Sequence, residues 1–259
     1  MILAIDVGNT HSVFGCIEKG EILHQARLTT DKKRTTYEYA ANMQDMLSFF
    51  GVDAGGFEGA IISSVVGPVT ETLVQAVKLV TGVDTMVVGK GLKTGLDIRI
   101  DDPGTVGADL VVGAVAALKM CKPPVIMVDM GTAPTIFVLD AKGRFIGGAI
   151  APGLGISMNA LSGGTAALPQ VALTAPEKCI STNTVTCMQS GAIYGSAAMI
   201  DGMIDRMEEE LGQKATVVAT GGLAGCVTPL CKHEIIWDDD MLLDGLYILW
   251  EKNNKSRKK

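Results

Sequence analysis

The sequence predicts an α/β protein made of two similar domains on either side of a central cleft, and three observations predict it. The chain repeats itself without a gap: Asp6, Phe14 and Gly20 recur, at one constant interval, as Asp129, Phe137 and Gly143. Each copy reads as an apolar run, an Asp-x-Gly turn, a second apolar run and a Lys-Gly turn, which is the pattern of a three-stranded meander. Helical periodicity follows each meander. Several positions agreeing at one offset weigh more than two unrelated glycine hairpins would.

In the first copy, residues 2–5 form the opening apolar run, Asp6-Val7-Gly8-Asn9-Thr10 the turn, Val13-Phe14 the returning strand and Lys19-Gly20 the step into a third. Helices are expected over 35–50, 68–80 and 105–120. The first carries Tyr39, Met43, Met46, Leu47 and Phe50 on one face and stops at Gly51. Pro123-Pro124 breaks the pattern before the second meander, so 121–124 reads as a linker. That meander runs from 125–128 through Asp129-Met130-Gly131-Thr132 to Lys142-Gly143. A long helix is expected over 183–211, ending at Gly212, and a last one over 242–250 closes the second half. The expected domains are therefore 1–120 and 121–252, with 253–259 a basic polar tail.

Composition narrows the function classes. The 259 residues are 47% hydrophobic and 19% charged with 31 glycines, which suits a packed α/β protein and excludes extensive disorder. With 22 basic and 28 acidic side chains the net charge is −6, so neither nucleic acid nor an anionic membrane is expected as a partner. Lys255, Arg257, Lys258 and Lys259 read as a solvated end without a role. Six cysteines are scattered without a CxxC pair and read as small core residues in a reducing compartment. Asp6 interrupts the first apolar run, so no signal peptide is expected, and a cytoplasmic location follows.

The two Asp-x-Gly turns carry the chemistry. Glycine after a strand lets backbone N–H groups approach phosphate oxygens. Gly8, Asn9 and Thr10 in one turn, and Gly131 and Thr132 in the other, supply further donors. A carboxylate beside a triphosphate would repel it, so Asp6 and Asp129 are expected to hold cations that neutralise the phosphates. A third element, Thr220-Gly221-Gly222, follows the apolar run 215–218 and offers a flat backbone to a nucleobase or ribose. Neither a Walker A sequence nor a GxGxxG fingerprint is present. ATP with Mg²⁺ is the ligand that two such turns fit.

These residues resemble the type III pantothenate kinases, members of the superfamily of acetate and sugar kinases, heat-shock chaperones and actin. The resemblance covers nearly the whole chain: Asp6-Val7-Gly8-Asn9-Thr10, Ser64-Val65-Val66, Pro103 with Val106-Gly107-Ala108-Asp109, Asp129-Met130-Gly131-Thr132-Ala133, Gly147-Gly148, Pro152-Gly153, Thr165-Ala166-Ala167-Leu168-Pro169, Asn183-Thr184 and Thr220-Gly221-Gly222. It implies a duplicated ribonuclease H-like (actin-like ATPase) fold, a homodimer, Mg²⁺, a monovalent cation (K⁺ or NH₄⁺), and transfer of the ATP γ-phosphate to the primary hydroxyl of pantothenate. By motif it implies that Asp6 to Thr10 hold phosphate and Mg²⁺, Asp129 the monovalent cation, and Thr132, Gly221 and Gly222 the nucleotide. Asp109 would be the catalytic base, with Gly107, Ala108, Leu110, Ile100 and Thr184 around the acceptor.

Two positions depart from the family pattern. Leu110 stands where the family has Arg, and Ile100 where it has Tyr. Losing a guanidinium that pairs a carboxylate removes a contact worth about 1.5–3 kcal/mol. Three readings follow: a pantothenate kinase with a rearranged acceptor pocket, a kinase of another small alcohol, or a nucleotide-binding paralogue without turnover. A chaperone-like ATPase is disfavoured, because the chain has no room for a partner-binding module.

Overall fold

The computed structural model describes residues 1–257, with side chains as far as Asn254. Two compact units emerge from the packing. The first contains Met1–Leu96, Asp102–Ala116 and the segment from Asp240 onward; the second contains Asp97–Asp101 and Ala117–Asp239.

The first unit starts with β1 (Ile2–Val7), β2 (His11–Glu18) and β3 (Glu21–Thr29), the predicted meander. Its second turn places Lys19 at φ 53° and Gly20 at φ 88°, a left-handed pair that glycine makes easy. Then come α1 (Thr36–Phe50), β4 (Gly59–Ser64), α2 (Gly67–Thr81), β5 (Thr85–Val87) and α3 (Ala108–Met120), whose last residues enter the second unit. Helix α1 begins with a capping box, Thr35 and Glu38 each bonding the other's backbone, and ends at Gly51 in the left-handed region. Helix α3 starts later than expected because Pro103–Thr105 forms a separate 3₁₀ turn. The sheet order is β3-β2-β1-β4-β5, with β1 antiparallel to β2 and parallel to β4.

The second unit repeats this plan. It contains β6 (Val125–Asp129), β7 (Thr135–Leu139), β8 (Phe145–Ile150), α4 (Leu154–Gly163), α5 (Thr184–Leu211), β9 (Thr216–Thr220), α6 (Ala224–Val227) and β10 (Ile236–Trp237). Its order is β10-β9-β6-β7-β8, with β6 antiparallel to β7 and parallel to β9. Strand for strand, β6 to β10 stand where β1 to β5 stand, so the duplicated α/β fold is borne out. Helix α5 matches expectation, with Asn183 as N-cap and Gly212 closing it at φ 67°. Helix α4 was not foreseen from sequence.

Alternation along the strands decides which face meets what. Leu3, Ile5, Val7 and Ile62 join Tyr39, Met43 and Leu47 of α1 and Leu73 and Val77 of α2 in one core. Ile2, Ala4 and Asp6 point the other way, as do their partners on β4, Gly59, Ile61 and Ser63. In the second unit, Ile126 and Val128 pack on Ile193, Ala197, Ile200 and Ile204 of α5, which leaves Asp129 on the opposite face.

The last helix, α7 (Met241–Arg257), corrects the expected domain limits. It packs on β1 and β4 of the first unit rather than closing the second. The reason is close approach: a Cβ at Gly15 would lie 2.8 Å from Leu243 Cδ1, and one at Gly59 2.8 Å from Trp250 Nε1. Gly245 meets the Val112 carbonyl of α3 in the same way. Nor does a polar tail begin at Asn253, which is buried and exchanges hydrogen bonds with the Lys93 backbone at 3.0 and 3.1 Å. The basic side chains of Lys255, Arg257, Lys258 and Lys259 lie outside the described residues. Among those residues no helix is long and apolar enough to cross a membrane.

Because Gly245 faces a backbone oxygen that cannot rotate away, Gly245→Ala is expected to cost roughly 1–3 kcal/mol by overpacking. Thermal unfolding followed by circular dichroism should show a midpoint several degrees lower. An unchanged midpoint would mean that α7 does not pack there.

Candidate active site

In the first unit, strand geometry and helix α3 bring two carboxylates together. Asp6 is the penultimate residue of β1 and stands in register with Ser63 of β4. Asp109 sits in the first turn of α3, where its Oδ1 accepts from the Leu110 N–H at 2.8 Å. A Cβ at Gly107 would strike that same oxygen, and Val65 Cγ1 lies 3.8 Å from the same point. Asp109 is thus set beside the turn that follows β4.

The electrostatics agree with the geometry. Burial pushes the Asp6 carboxyl up to about 7, the Ser63 hydroxyl draws it partly down, and the nearby Asp109 charge raises it again. Burial also raises Asp109, against the pull of the Leu110 N–H and its own. The Ser63 hydroxyl is buried and makes no hydrogen bond of standard geometry, so its help to Asp6 comes from proximity. Among the described residues, no ion pair holds either carboxylate. Two desolvated acids side by side form a site whose charge a cation would relieve.

The turn after Asp6 is shaped as expected. Gly8 N–H donates to the His11 carbonyl at 3.0 Å, and Asn9 and Thr10 are exposed. Of the residues predicted in this unit, Asp6 and Asp109 are brought together, with Gly107 beside Asp109. Ala108 and Leu110 flank Asp109 on α3, and Leu110 is half-buried.

In the second unit, Asp129 ends β6 in register with Thr220 of β9, and Met130 N–H donates to the Thr220 carbonyl at 2.8 Å. Gly221 follows at φ 95°, a backbone that glycine favours, and a Cβ there would lie 2.7 Å from Asp129 Oδ1. A Cβ at Gly131 would lie 3.6 Å from the same oxygen. Asp129, Gly131 and Gly221 therefore cluster where the parallel strands β6 and β9 end, with Thr132 and Gly222 exposed next to them. Ligand sites at the carboxyl ends of parallel strands are the general rule in α/β sheets.

Thr184 is elsewhere in this unit. It is the first residue of α5, exposed, and lines a cavity of about 720 Å³ together with Met158, Leu161, Leu168, Asn183 and Cys187. That volume suits a small organic molecule. Ile100 is half-buried beside the strip whose Arg99 N–H donates to the Phe145 carbonyl at 2.7 Å. Sequence reasoning missed Ser63 and the apolar lining from α4. Ser63 carried no sequence signal of its own, because Gly59–Ser64 is buried on both faces and ends in two serines.

The raised Asp6 carboxyl makes a stability prediction. Its folded value of about 7 exceeds the ordinary 3.8, so the folded state holds this proton more tightly than the unfolded chain does. Stability is lost as pH rises from about 4 to about 7, and the full cost is present above that. Asp6→Asn should therefore raise the melting temperature of the ligand-free protein at pH 8, and the gain should shrink as pH falls through that window. A gain that does not vary with pH would mean Asp6 is not desolvated.

A model of the family described as type III pantothenate kinase matches residues 2–206. The type III pantothenate kinase of Moorella thermoacetica is 41% identical over 253 residues, covering 98% of this chain and 100% of that protein. The one from an Exiguobacterium species is 42% identical over 255 residues, covering 98% and 100%. Among solved structures, an inorganic polyphosphate/ATP-glucomannokinase from an Arthrobacter species is similar with a TM-score of 0.51, over 97% of this chain and 98% of that one. At 12% identity that likeness is one of fold alone, the fold shared by actin-like ATPases and sugar kinases. Sequence narrows what fold leaves wide: this chain belongs to the type III pantothenate kinase family.

Proposed function

We propose that the protein transfers the γ-phosphate of ATP to the primary hydroxyl of pantothenate, the first step of coenzyme A biosynthesis. The observation that carries this reading is the pairing of Asp6 with Asp109, one carboxylate suited to a metal and the other to a base. Identity of 41–42% along the full chain supports pantothenate over another alcohol or a paralogue without turnover.

The roles follow from the residues. Asp109 accepts the hydroxyl proton as the oxygen bonds to the γ-phosphorus and the bridging P–O bond to ADP breaks. The transition state is loose, so orienting the hydroxyl matters more than removing its proton early. Asp6 suits Mg²⁺, since its desolvated carboxylate has a second acid nearby and no ion pair among the described residues. Mg²⁺ there supplies charge neutralisation between the phosphates. Gly8, Asn9, Thr10, Gly131 and Thr132 offer donors to phosphate oxygens, while Gly221 and Gly222 serve the nucleoside. Asp129 is the carboxylate proposed for K⁺ or NH₄⁺, at the turn where Gly221 approaches it closely. In the second unit, Thr184 and its cavity are proposed for the acceptor; the roles proposed for Gly107, Ala108, Leu110 and Ile100 rest on the family motif. A cytoplasmic homodimer completes the proposal.

An ADP-release assay with pantothenate, ATP, Mg²⁺ and K⁺ tests the reading. Asp109→Asn should lower kcat by roughly 10²- to 10⁴-fold while ATP affinity stays near that of the unchanged protein. Nucleotide binding without turnover of pantothenate would overturn it. Leu110→Arg combined with Ile100→Tyr should lower KM for pantothenate by about tenfold or more, the worth of one charge-assisted contact. If KM does not move, these two positions do not face the acceptor carboxylate.

A further inference from the structure

Trp237 is an exposed tryptophan in an unusual place. Its side chain is 53% accessible, although β10 is a short strand paired in parallel with β9 at the edge of the second sheet. Register sets it opposite Ala219, next in chain to the Thr220-Gly221-Gly222 turn, and Asp238 N–H donates to the Ala219 carbonyl at 2.9 Å. The benzo ring rests on α6: a Cβ at Gly225 would lie 3.0 Å from Cζ2 and 3.2 Å from Cη2. The indole is thus seated against backbone while much of its surface stays in water. Full hydration of a ring this large forgoes the burial that usually places tryptophan inside.

We infer that Trp237 is the stacking platform for the base of the nucleotide. This rests on the reading of the protein as an ATP-dependent kinase. Within the second unit, Gly221 lies against the Asp129 carboxylate, the Ala224 N–H donates to the Gly221 carbonyl at 2.9 Å, and the next residue, Gly225, lies against the indole. A nucleotide with its phosphates at Asp129, Gly131 and Thr132 and its ribose over Gly222 brings its base to that ring. Stacking reads the area of a π-face rather than an edge pattern. Purine nucleotides are therefore favoured over pyrimidine ones, with little choice between ATP and GTP.

The chain holds two tryptophans, and the other, Trp250, is 6% exposed in α7. Mg²⁺-ATP should quench the fluorescence of the unchanged protein, and Trp237→Phe should abolish most of that response while keeping affinity within a few-fold. Trp237→Ala should weaken ATP about 5- to 100-fold, leave kcat and tripolyphosphate affinity unchanged, and narrow the gap between ATP and CTP. Equal ATP affinity in Trp237→Ala and the unchanged protein would overturn the inference and leave the kinase reading standing. Failure of the unchanged protein to bind ATP at all would overturn both.

Discussion

The Asp6 carboxylate, taken out of water at the end of a buried strand and set beside Asp109, is the interaction on which the first unit turns. Burying a carboxylate with one hydroxyl and a second acid for neighbours costs free energy. Much of the surrounding structure serves to keep it there. Parallel pairing of β1 with β4 brings Ser63 alongside, and α3 delivers Asp109 from far along the sequence. Helix α7 packs on the same face of the sheet, excluding water from its lower part through Leu243 and Trp250.

Legibility in the sequence followed the range of the forces involved. The meanders β1 to β3 and β6 to β8 were readable because alternation and turn residues are local, and the repeat counted them twice. Helix α1 was legible through its apolar face from Tyr39 to Phe50 and its stop at Gly51, and α5 through its stop at Gly212, signals that act within a few turns. Placing α7 in the wrong unit had the opposite cause. Its own periodicity describes a buried helix without saying against what, and the partners Gly15 and Gly59 lie far away in the chain. Helix α4 hides in a stretch rich in glycine and serine, where propensity argues for a loop and packing of Leu154 and Met158 overrides it.

Site residues divided along the same line. Asp6 and Asp129 were visible because the duplication marks both, whereas the proximity of Asp6 to Asp109 is a tertiary fact. Duplication also explains a difference between the halves. Both acids lie at the end region of a strand that pairs in parallel with a later one, Asp6 one residue before the end of β1 and Asp129 at the end of β6, but Asp6 has a second acid nearby while Asp129 has the Gly221 backbone against it. The two copies of one turn have thus acquired different surroundings.

The departures at Leu110 and Ile100 leave the main-chain setting of Asp109 unchanged. Asp109 is oriented through the main chain, since the Leu110 N–H that bonds its Oδ1 is present whatever side chain follows. Replacing arginine by leucine at that position therefore leaves the geometry of the carboxylate intact. It also leaves the carboxyl without a neighbouring guanidinium, and a positive charge there would have favoured ionisation and opposed the upward push of burial. On the proposed assignment, leucine at position 110 withholds a charge from an anionic acceptor while the main-chain setting of Asp109 is kept.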